Sequence, residues 1–290
     1  MADRVGSAAA SRVTVVIATR DRRERLLATL DRLAALPERA PVIVVDNGSR
    51  EPVAAAARRH PTATAVIELG GNHGAAARNA GAAAARTEYV AFNDDDSWWL
   101  PGSLATAEHL LDRYPSLAVI AARVLVGAER RLDPASAVMA ASPLADGDLP
   151  GPSVLGFVAC GAVVRRSAFL EAGGFERRLG IGGEEELLAL DLATRGQRLA
   201  YVEDVVAVHE PARGPRPGRG RHTLRNSLLV TWLRRPVVDA LRRSWELLSR
   251  HGDRRQAVLA TFDALRAGAW VVSERRPVPR ALARELRALD

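Results

Sequence analysis

Three consecutive aspartates at the end of an apolar run are the most chemically suggestive feature of the sequence. Asp94, Asp95 and Asp96 directly follow the run 89–93. Carboxylate oxygens are ligands that Mg²⁺ and Mn²⁺ favour, and one or two carboxylates often hold such an ion together with substrate phosphates. Asp94 and Asp96, as alternate residues, therefore form a candidate metal site. A solvated acidic turn is the alternative, because aspartate is common where strands end.

Two tryptophans, Trp98 and Trp99, come just after these aspartates. Aromatic faces stack well on the C–H surfaces of sugars, and the indole N–H donates a hydrogen bond. The pair is therefore a candidate lining for a pocket that binds a sugar. Packing in the core is an equal alternative.

The elements that must position these residues alternate along the first half of the chain. Strand-like apolar runs at 13–18, 42–46, 65–69 and 89–93 alternate with helical stretches at 22–35, 52–59 and 75–86. This alternation is typical of a parallel sheet covered by helices. Ligands of open α/β sheets collect beyond the carboxyl ends of the strands. We therefore expect Thr19, Asp46 and the three aspartates to share one crevice.

The second half of the chain predicts further elements and then a change of character near residue 212. We expect a helix at 104–113, a strand at 117–126, a loop at 127–151, a strand at 158–165, and helices at 167–172 and 184–195, then an extended stretch at 199–209. Residues 212–221 are rich in Gly, Pro and Arg, which predicts a loop. Arginine-studded helices follow at 224–234, 237–250, 254–270 and 279–289. The predicted organisation is a tail (1–12), an α/β domain (13–211) and a basic loop with a C-terminal helical extension (212–290).

Composition limits the class of protein. The 290 residues are 48% apolar and 26% charged, which suits one large domain or a domain with an appendage. No apolar run approaches the roughly 20 residues of a membrane span, and residues 1–11 lack the apolar stretch of a secretory signal. The single cysteine, Cys160, cannot form an internal disulfide, and we expect a buried, inert thiol. These features predict a cytoplasmic protein.

The charge is basic, and arginine alone supplies it. All 41 basic residues are arginines, and the net charge is +7. This balance favours a phosphate-bearing ligand, an anionic lipid surface or nucleic acid. Aromatic residues do not interleave with the arginines, which makes nucleic acid the weakest of these partners. The arginines of 213–225 and of the C-terminal helices predict peripheral contact with the inner, anionic face of a membrane.

Four motifs, in this order, resemble those of family 2 glycosyltransferases. They are VTVVIATRDR from Val13, VVDNGS from Val44, Asn72-His73-Gly74 with ARNAG from Ala77, and the Asp94 cluster. The similarity runs from about Val13 to Pro211. It implies a GT-A fold for 13–211, with a mostly parallel central sheet flanked by helices. It also implies a Mn²⁺ or Mg²⁺ cofactor and inverting transfer from a nucleotide-diphosphate sugar to an acceptor hydroxyl.

The resemblance also implies roles for donor-binding residues. Thr19 and Asp46 would contact the nucleoside, and Arg78 would approach the base or the phosphates. Asp94 and Asp96 would form a metal-binding D-x-D motif, with Asp94 touching the ribose and Asp95 beside it in the donor site. From the residues alone, Asp46 in DNGS also suits a simple turn, and Arg78 also suits a helix surface.

Two later sites complete the set that the resemblance implies. Gly182-Gly183 followed by Glu184, Glu185 and Glu186 resembles an acidic helix start whose second carboxylate is the general base. Counting back from Gly196 places Glu185 there and leaves Glu184 as the alternative. Glutamates in a first helical turn are also stabilised by the helix dipole without catalytic duty. His209, at the end of an extended run, resembles a late histidine that binds the metal or the diphosphate.

Other functions fit the sequence less well. A dinucleotide-dependent dehydrogenase needs a Gly-rich turn after the first strand, and Ala18 to Arg22 contains no glycine. A nucleotidyltransferase of similar architecture is the enzyme alternative, although the basic Gly-rich loop expected early in such a chain is missing. A non-enzymatic basic surface binder is the other alternative. Ala18 and Arg20-Asp21 depart from the family pattern, which leaves the nucleobase open.

Overall fold

The first strands carry apolar residues at consecutive positions because helices cover both faces of the sheet. The computed structural model describes residues 11–211 and 218–290. Its strands are β1 (Val13–Thr19), β2 (Val42–Asp46), β3 (Ala63–Glu68), β4 (Tyr89–Asp94), β5 (Ser97–Trp99), β6 (Leu117–Val126), β7 (Arg131–Leu132), β8 (Ala162–Arg165) and β9 (Arg198–His209). Its helices are α1 (Arg23–Ala34), α2 (Val53–Arg59), α3 (Ala77–Ala84), α4 (Ser103–Arg113), α5 (Pro134–Ala140), α6 (Arg166–Glu171), α7 (Glu184–Thr194), α8 (Arg219–Arg234), α9 (Val237–Ser249), α10 (Arg254–Arg266), α11 (Gly268–Glu274) and α12 (Arg280–Leu289).

One mixed sheet connects all the strands, in the order β3-β2-β1-β4-β8-β6-β9-β5, with β7 beside β6. The pairs β1–β2, β1–β4, β2–β3 and β6–β9 are parallel, whereas β8, β7 and β5 pair antiparallel with their neighbours. Six strands therefore run in one direction. The expected mostly parallel sheet with flanking helices is confirmed.

Alternate residues of β1 point to the two faces of the sheet, as strand geometry requires. Val15 packs in a cluster with Leu30 of α1 and Leu104 of α4. Val16 packs in a second cluster with Phe92 and Phe169 on the opposite face. The core is therefore two apolar layers with the sheet between them.

Several predicted boundaries differ from the structure. The stretch 127–151, expected to be a loop, contains β7 and α5. Asp133 caps α5 by accepting a hydrogen bond from the Ala135 N–H at 2.8 Å, and Pro134 occupies the first turn, both common helix-start features. The predicted helix 254–270 is divided at Ala267 into α10 and α11. Most of the predicted loop 212–221 lies outside the described residues, and α8 already begins at Arg219.

The expected C-terminal helices are present and share apolar contacts with the α/β part. Leu187 and Leu190 of α7 cluster with Leu229 and Leu233 of α8 and with Leu282 of α12. These contacts tie the helix that begins at Glu184 to the end of the chain. Among the described helices, none is both long and apolar enough to cross a bilayer.

Candidate active site

Parallel strands bring the sequence-predicted residues to one edge of the sheet. In the register of β1, Thr19 lies opposite Asp46, and Ala18 lies opposite Asp94. A cleft of about 800 Å³ opens at this edge. Its lining includes Thr19, Arg22, Asn47, Asn72, Arg78, Asp94, Asp95, Asp96, Cys160, Glu184, Glu185, His209 and Arg219. Residues from both halves of the chain therefore meet in one cavity.

A tight turn between β4 and β5 presents the three aspartates. The Asn93 side chain is fully buried and donates to the Ser97 carbonyl at 2.8 Å while accepting from the Trp99 indole N–H at 2.5 Å. The Asp94 N–H donates to Ser97 Oγ at 2.8 Å. These bonds span the turn from both sides, so they hold its carboxylates in position.

The Asp95 carboxylate turns inwards and serves the scaffold. It is 4% exposed, accepts from Thr19 Oγ1 at 2.8 Å and from Arg22 Nη1 at 2.9 Å. Burial raises the pKa of Asp95, and the Arg22 and Thr19 bonds offset only part of that rise. The Thr29 hydroxyl of α1 holds the Asp95 carbonyl at 2.8 Å. Asp95 thus links β1, α1 and the turn.

The Asp96 carboxylate is surrounded by cationic groups. It accepts from Arg22 Nη1 at 3.0 Å and from Arg25 Nη1 at 3.3 Å, and its Oδ1 lies 3.3 Å from His209 Nε2. Burial raises the pKa of Asp96, but the His209 bond and the charges of His209 and the arginines lower it by a larger amount, so the net shift is downwards. The pKa of His209 is lowered by burial and raised more strongly by Asp96 and Asp94, so its net shift is upwards. Asp96 is therefore held as a carboxylate.

Arg78 and Asp94 form a close ion pair at the floor of the cleft. The Arg78 side chain is 11% exposed and that of Asp94 is 33% exposed. Arg78 Nε is buried and has no hydrogen-bond partner among the described residues. A buried guanidinium with an unused donor is suited to an anionic ligand, because planar N–H donors match phosphate and carboxylate oxygens.

Potential metal-ligand atoms converge at the side of the cleft where β9 ends. Within the described ranges, ligand atoms of Asp94, Cys160 and His209 all lie within 4.8 Å of one another. Asp96 is outside this group, but it contacts His209 directly. The carboxylate and imidazole of this set suit Mn²⁺ better than Mg²⁺, which prefers oxygen ligands, whereas the Cys160 thiol is a soft ligand that neither ion favours. The donor set is therefore compatible with a divalent transition metal.

Two glutamates at the start of α7 face the same cleft. Gly183 precedes the helix with a φ of +88°, and Gly182 has a φ of +93°, a region that glycine adopts at little cost. Glu185 Oε1 accepts from the Ala159 N–H at 3.1 Å, and Glu184 Oε2 is buried with no partner in the parts of the chain described. Burial, reinforced by the charge of Glu184, raises the pKa of Glu185 to about 8. Burial also raises the pKa of Glu184.

Three of the sequence-predicted residues do not line the cleft. Both oxygens of Asp46 accept backbone N–H groups, from Ser49 at 2.8 Å and from Ala54 at 3.2 Å, so this carboxylate holds the turn that leads into α2. Trp99 is fully buried, and Trp98 is 7% exposed beneath the Arg32 guanidinium, which lies 3.6 Å from the ring centre. Both tryptophans of β5 therefore pack in the core, which is the alternative to lining a sugar pocket.

The structure adds residues that sequence reasoning did not single out. Arg22 contacts two of the three aspartates. The Asn47 side chain donates to Asn72 Oδ1 at 3.0 Å and to the Gly74 carbonyl at 3.1 Å, and accepts from the His73 N–H at 2.7 Å. Asn47 thereby joins the end of β2 to the loop before α3. Its position beside Asp46 in DNGS was the only sequence signal for it. Cys160 is buried, as expected, but beside the metal-ligand candidates.

Comparisons with known proteins point to one family. A family model described as Glycosyl transferase family 2 matches residues 14–173, more than half of the chain. No curated protein has a significantly similar sequence.

Solved structures share the fold at low sequence identity. Mannosyltransferase PcManGT from Pyrobaculum calidifontis, in complex with GDP-Man and Mn²⁺, is 20% identical with a TM-score of 0.59, over 96% of this chain and 85% of that chain. S. aureus TarS 1–349 in complex with UDP-GlcNAc is 14% identical with a TM-score of 0.58, over 89% and 73%. GalNAc-T7 with UDP, GalNAc and Mn²⁺ is 15% identical with a TM-score of 0.61, over 92% and 58%. The chain spans 42% of the length of a longer TarS structure.

Proposed function

Since the chain belongs to glycosyl transferase family 2 and has the GT-A fold, we propose that it transfers a sugar from a nucleotide-diphosphate sugar to an acceptor hydroxyl. The transfer inverts the anomeric carbon and uses a divalent metal ion. The observation that carries the proposal is the single cleft in which Arg78, Asp94, His209 and Glu185 meet. Family membership also removes most of the support for the nucleotidyltransferase alternative.

The donor is proposed to lie along the carboxyl edge of β1, β2 and β4. Thr19, Asn47 and Arg78 line this part of the cleft and offer hydroxyl, amide and guanidinium groups to a nucleotide. We assign to Asn47 the nucleoside contact that the sequence suggested for Asp46. The buried, incompletely bonded Arg78 guanidinium supplies positive charge for the diphosphate. The structures of PcManGT and TarS contain GDP-Man and UDP-GlcNAc respectively, which supports a donor of this class.

Asp94 and His209, with Asp96 beside them, are the residues that would hold the metal. Ligand atoms of Asp94 and His209 lie within 4.8 Å of each other and Asp96 contacts His209, which supports a metal site here. A divalent ion there would neutralise negative charge on the departing diphosphate. Mn²⁺ in the complexes of PcManGT and GalNAc-T7 supports this choice.

Glu185 is proposed as the general base, with Glu184 as its neighbour. In an inverting transfer the base takes the proton of the acceptor oxygen as that oxygen attacks the anomeric carbon, and the nucleoside diphosphate leaves from the opposite side. A catalytic pKa near the working pH favours proton transfer, and the pKa of Glu185, raised by burial, suits this role. Its hydrogen bond from the Ala159 N–H orients the carboxylate.

Nucleotide binding tests the donor site without a known acceptor. We would titrate UDP, dTDP and GDP calorimetrically into the wild-type protein and Asp94→Ala, with and without Mn²⁺. One nucleotide should bind in a Mn²⁺-dependent manner. Asp94→Ala should weaken that binding by about tenfold or more, because replacing even a residue that only orients a metal ligand typically lowers the metal affinity by that factor.

The matched control is Asp204→Ala, which removes an exposed carboxylate of β9 outside the cleft lining. It should bind as the wild type does. Absence of binding by all three nucleotides, or equal affinity of the Asp94→Ala protein, would contradict the proposal.

A further inference from the structure

Exposed apolar side chains are concentrated on the C-terminal helices. Nine of the twelve exposed large hydrophobic residues found in the described ranges lie between 237 and 289. Scattered single residues of this kind are normal on a protein surface, but a concentration marks an interaction site.

On α9 the exposed residues form one stripe. Val238, Leu241 and Trp245 are spaced by three and four residues, so they lie on one face of the helix. Their exposed fractions are 78%, 56% and 74%. The other side of α9 packs inwards through Ala240 and Leu247. The stripe is therefore the outer face of a helix that is already anchored.

The following helix, α10, repeats the pattern. Val258, Phe262 and Leu265 are spaced by four and three residues and are 68%, 53% and 72% exposed. Ala257 and Ala260 on the opposite side pack against α8. Two successive amphipathic helices thus leave an apolar face without a partner among the described residues.

The positive charge of the protein lies in the same region. Residues 218–290 contain sixteen arginines and seven carboxylates, a net charge of +9, whereas the whole chain has +7. The remainder of the chain therefore carries −2. The C-cap residue of α9, Arg250, and three arginines of α10, Arg254, Arg255 and Arg266, are exposed. Arg242 of α9 is also exposed but is already paired with Asp290 at 2.9 Å.

The carboxylates of α9 are already paired with arginines, so they do not repel an anionic partner. Asp239 accepts from Arg287 at 2.6 Å, and Glu246 accepts from Arg243 at 3.2 Å. Both negative charges are thus already neutralised within the protein. The surface that surrounds the α9 stripe is apolar and cationic.

We propose that the outer faces of α9 and α10 dock on an anionic membrane surface. Apolar residues with a tryptophan, bordered by arginines, match the layered chemistry of a lipid interface, in which acyl chains lie below anionic headgroups. The α9 helix has 13 residues, a length of about 20 Å, which suits a helix lying in the interface. This surface is separate from the cleft, so the proposal does not depend on the transferase assignment.

Vesicle sedimentation tests the proposal. The full chain is mixed with vesicles of phosphatidylcholine alone or of phosphatidylcholine with phosphatidylglycerol in equal amounts, at low and high salt. We expect binding to the anionic vesicles at low salt and little binding to the neutral ones. The double variant Leu241→Ser, Trp245→Ser should bind the anionic vesicles at least about tenfold more weakly than the wild type, because the strength of insertion scales with buried apolar area. Val138→Ser, which changes another exposed residue, on α5, should bind as the wild type does.

A second measurement does not rely on the double variant. Brominated anionic lipids quench tryptophans that enter the interface, so they should quench the fluorescence of the wild type. Most of this quenching should be absent in Trp245→Phe. The proposal is overturned if the wild type ignores anionic vesicles, if it binds neutral ones equally well, or if the double variant binds unchanged. It is also overturned if light scattering shows a dimer that this double substitution dissociates, because the stripe would then join two copies of the chain.

Discussion

Glu185 binds its proton more tightly in the folded protein than in the unfolded chain. Its pKa rises from the ordinary 4.5 to about 8 in the fold, because burial and the charge of Glu184 disfavour the ionised form. Between these two values the folded state holds more protons than the unfolded state, so this residue makes stability fall as pH rises. Ionising Glu185 therefore costs stability in the pH range where a base must be ionised to act.

Replacing Glu185 by Gln should remove this dependence. We expect Glu185→Gln to be as stable as the wild type near pH 5 and more stable by roughly 1–3 kcal/mol above pH 8. Urea unfolding across this pH range measures the difference. Glu51→Gln, at an exposed position, should follow the wild-type curve. If Glu185→Gln loses stability with pH as steeply as the wild type does, the assigned cause is wrong.

The sequence identified most cleft residues by type and missed those whose roles depend on distant partners. Asp94, Arg78, Glu185 and His209 belong to motifs, and strand ends bring them together. Arg22 contacts Asp95 and Asp96, which lie more than seventy positions later in the chain, and local sequence patterns do not reveal such contacts.

At the scale of elements, the strand predictions were close wherever apolar runs were long. The bounds of β2 and β6 match the sequence expectation. The three residues of β5 are too few for a periodic signal, and they form a strand only by pairing with β9, where Ser97 faces His209. That pairing buries Trp98 and Trp99, which explains why these tryptophans pack in the core although they follow the cleft residues in sequence.

The contact between α3 and the sheet depends on the absence of a side chain at Gly81. A Cβ at this position would lie 2.4 Å from Val16 Cγ1 and 3.1 Å from Val45 Cγ2. We expect Gly81→Ala to lower the free energy of unfolding by about 1–3 kcal/mol, as overpacking does. Urea denaturation measures it. Gly220→Ala, in α8 with nothing near the added Cβ, should keep or raise stability, and equal behaviour of the two variants would contradict this packing account.

At the scale of the molecule, one buried amide connects the C-terminal helices to the cleft. Asn226 of α8 is fully buried and donates to the carbonyls of Leu179 at 2.7 Å and of Gly182 at 2.5 Å. These carbonyls belong to the loop that leads into Glu184 and Glu185. The helices after residue 211 therefore support the segment from which the proposed base projects.

Loss of this amide should affect turnover more than nucleotide affinity. Asn226→Ala leaves buried carbonyls without their donor, which costs about 1–3 kcal/mol of stability. We expect slower transfer of the donor sugar to water, measured as release of nucleoside diphosphate, with the nucleotide dissociation constant unchanged because β1 and β4 hold that site. Ser227→Ala should resemble the wild type. A weakened nucleotide affinity with normal turnover would contradict the inference that Asn226 supports the segment of the base.

The match to the family ends at residue 173, before Glu185, His209 and Asn226. The cleft therefore draws on two stretches of sequence, of which the family model covers only the first. The first stretch carries the proposed donor edge, and the second carries the proposed base, the proposed metal-binding histidine and the amide that supports the base. Relatives aligned over the first stretch alone would therefore be compared at the donor edge. The residues proposed to act on the acceptor would lie outside that comparison.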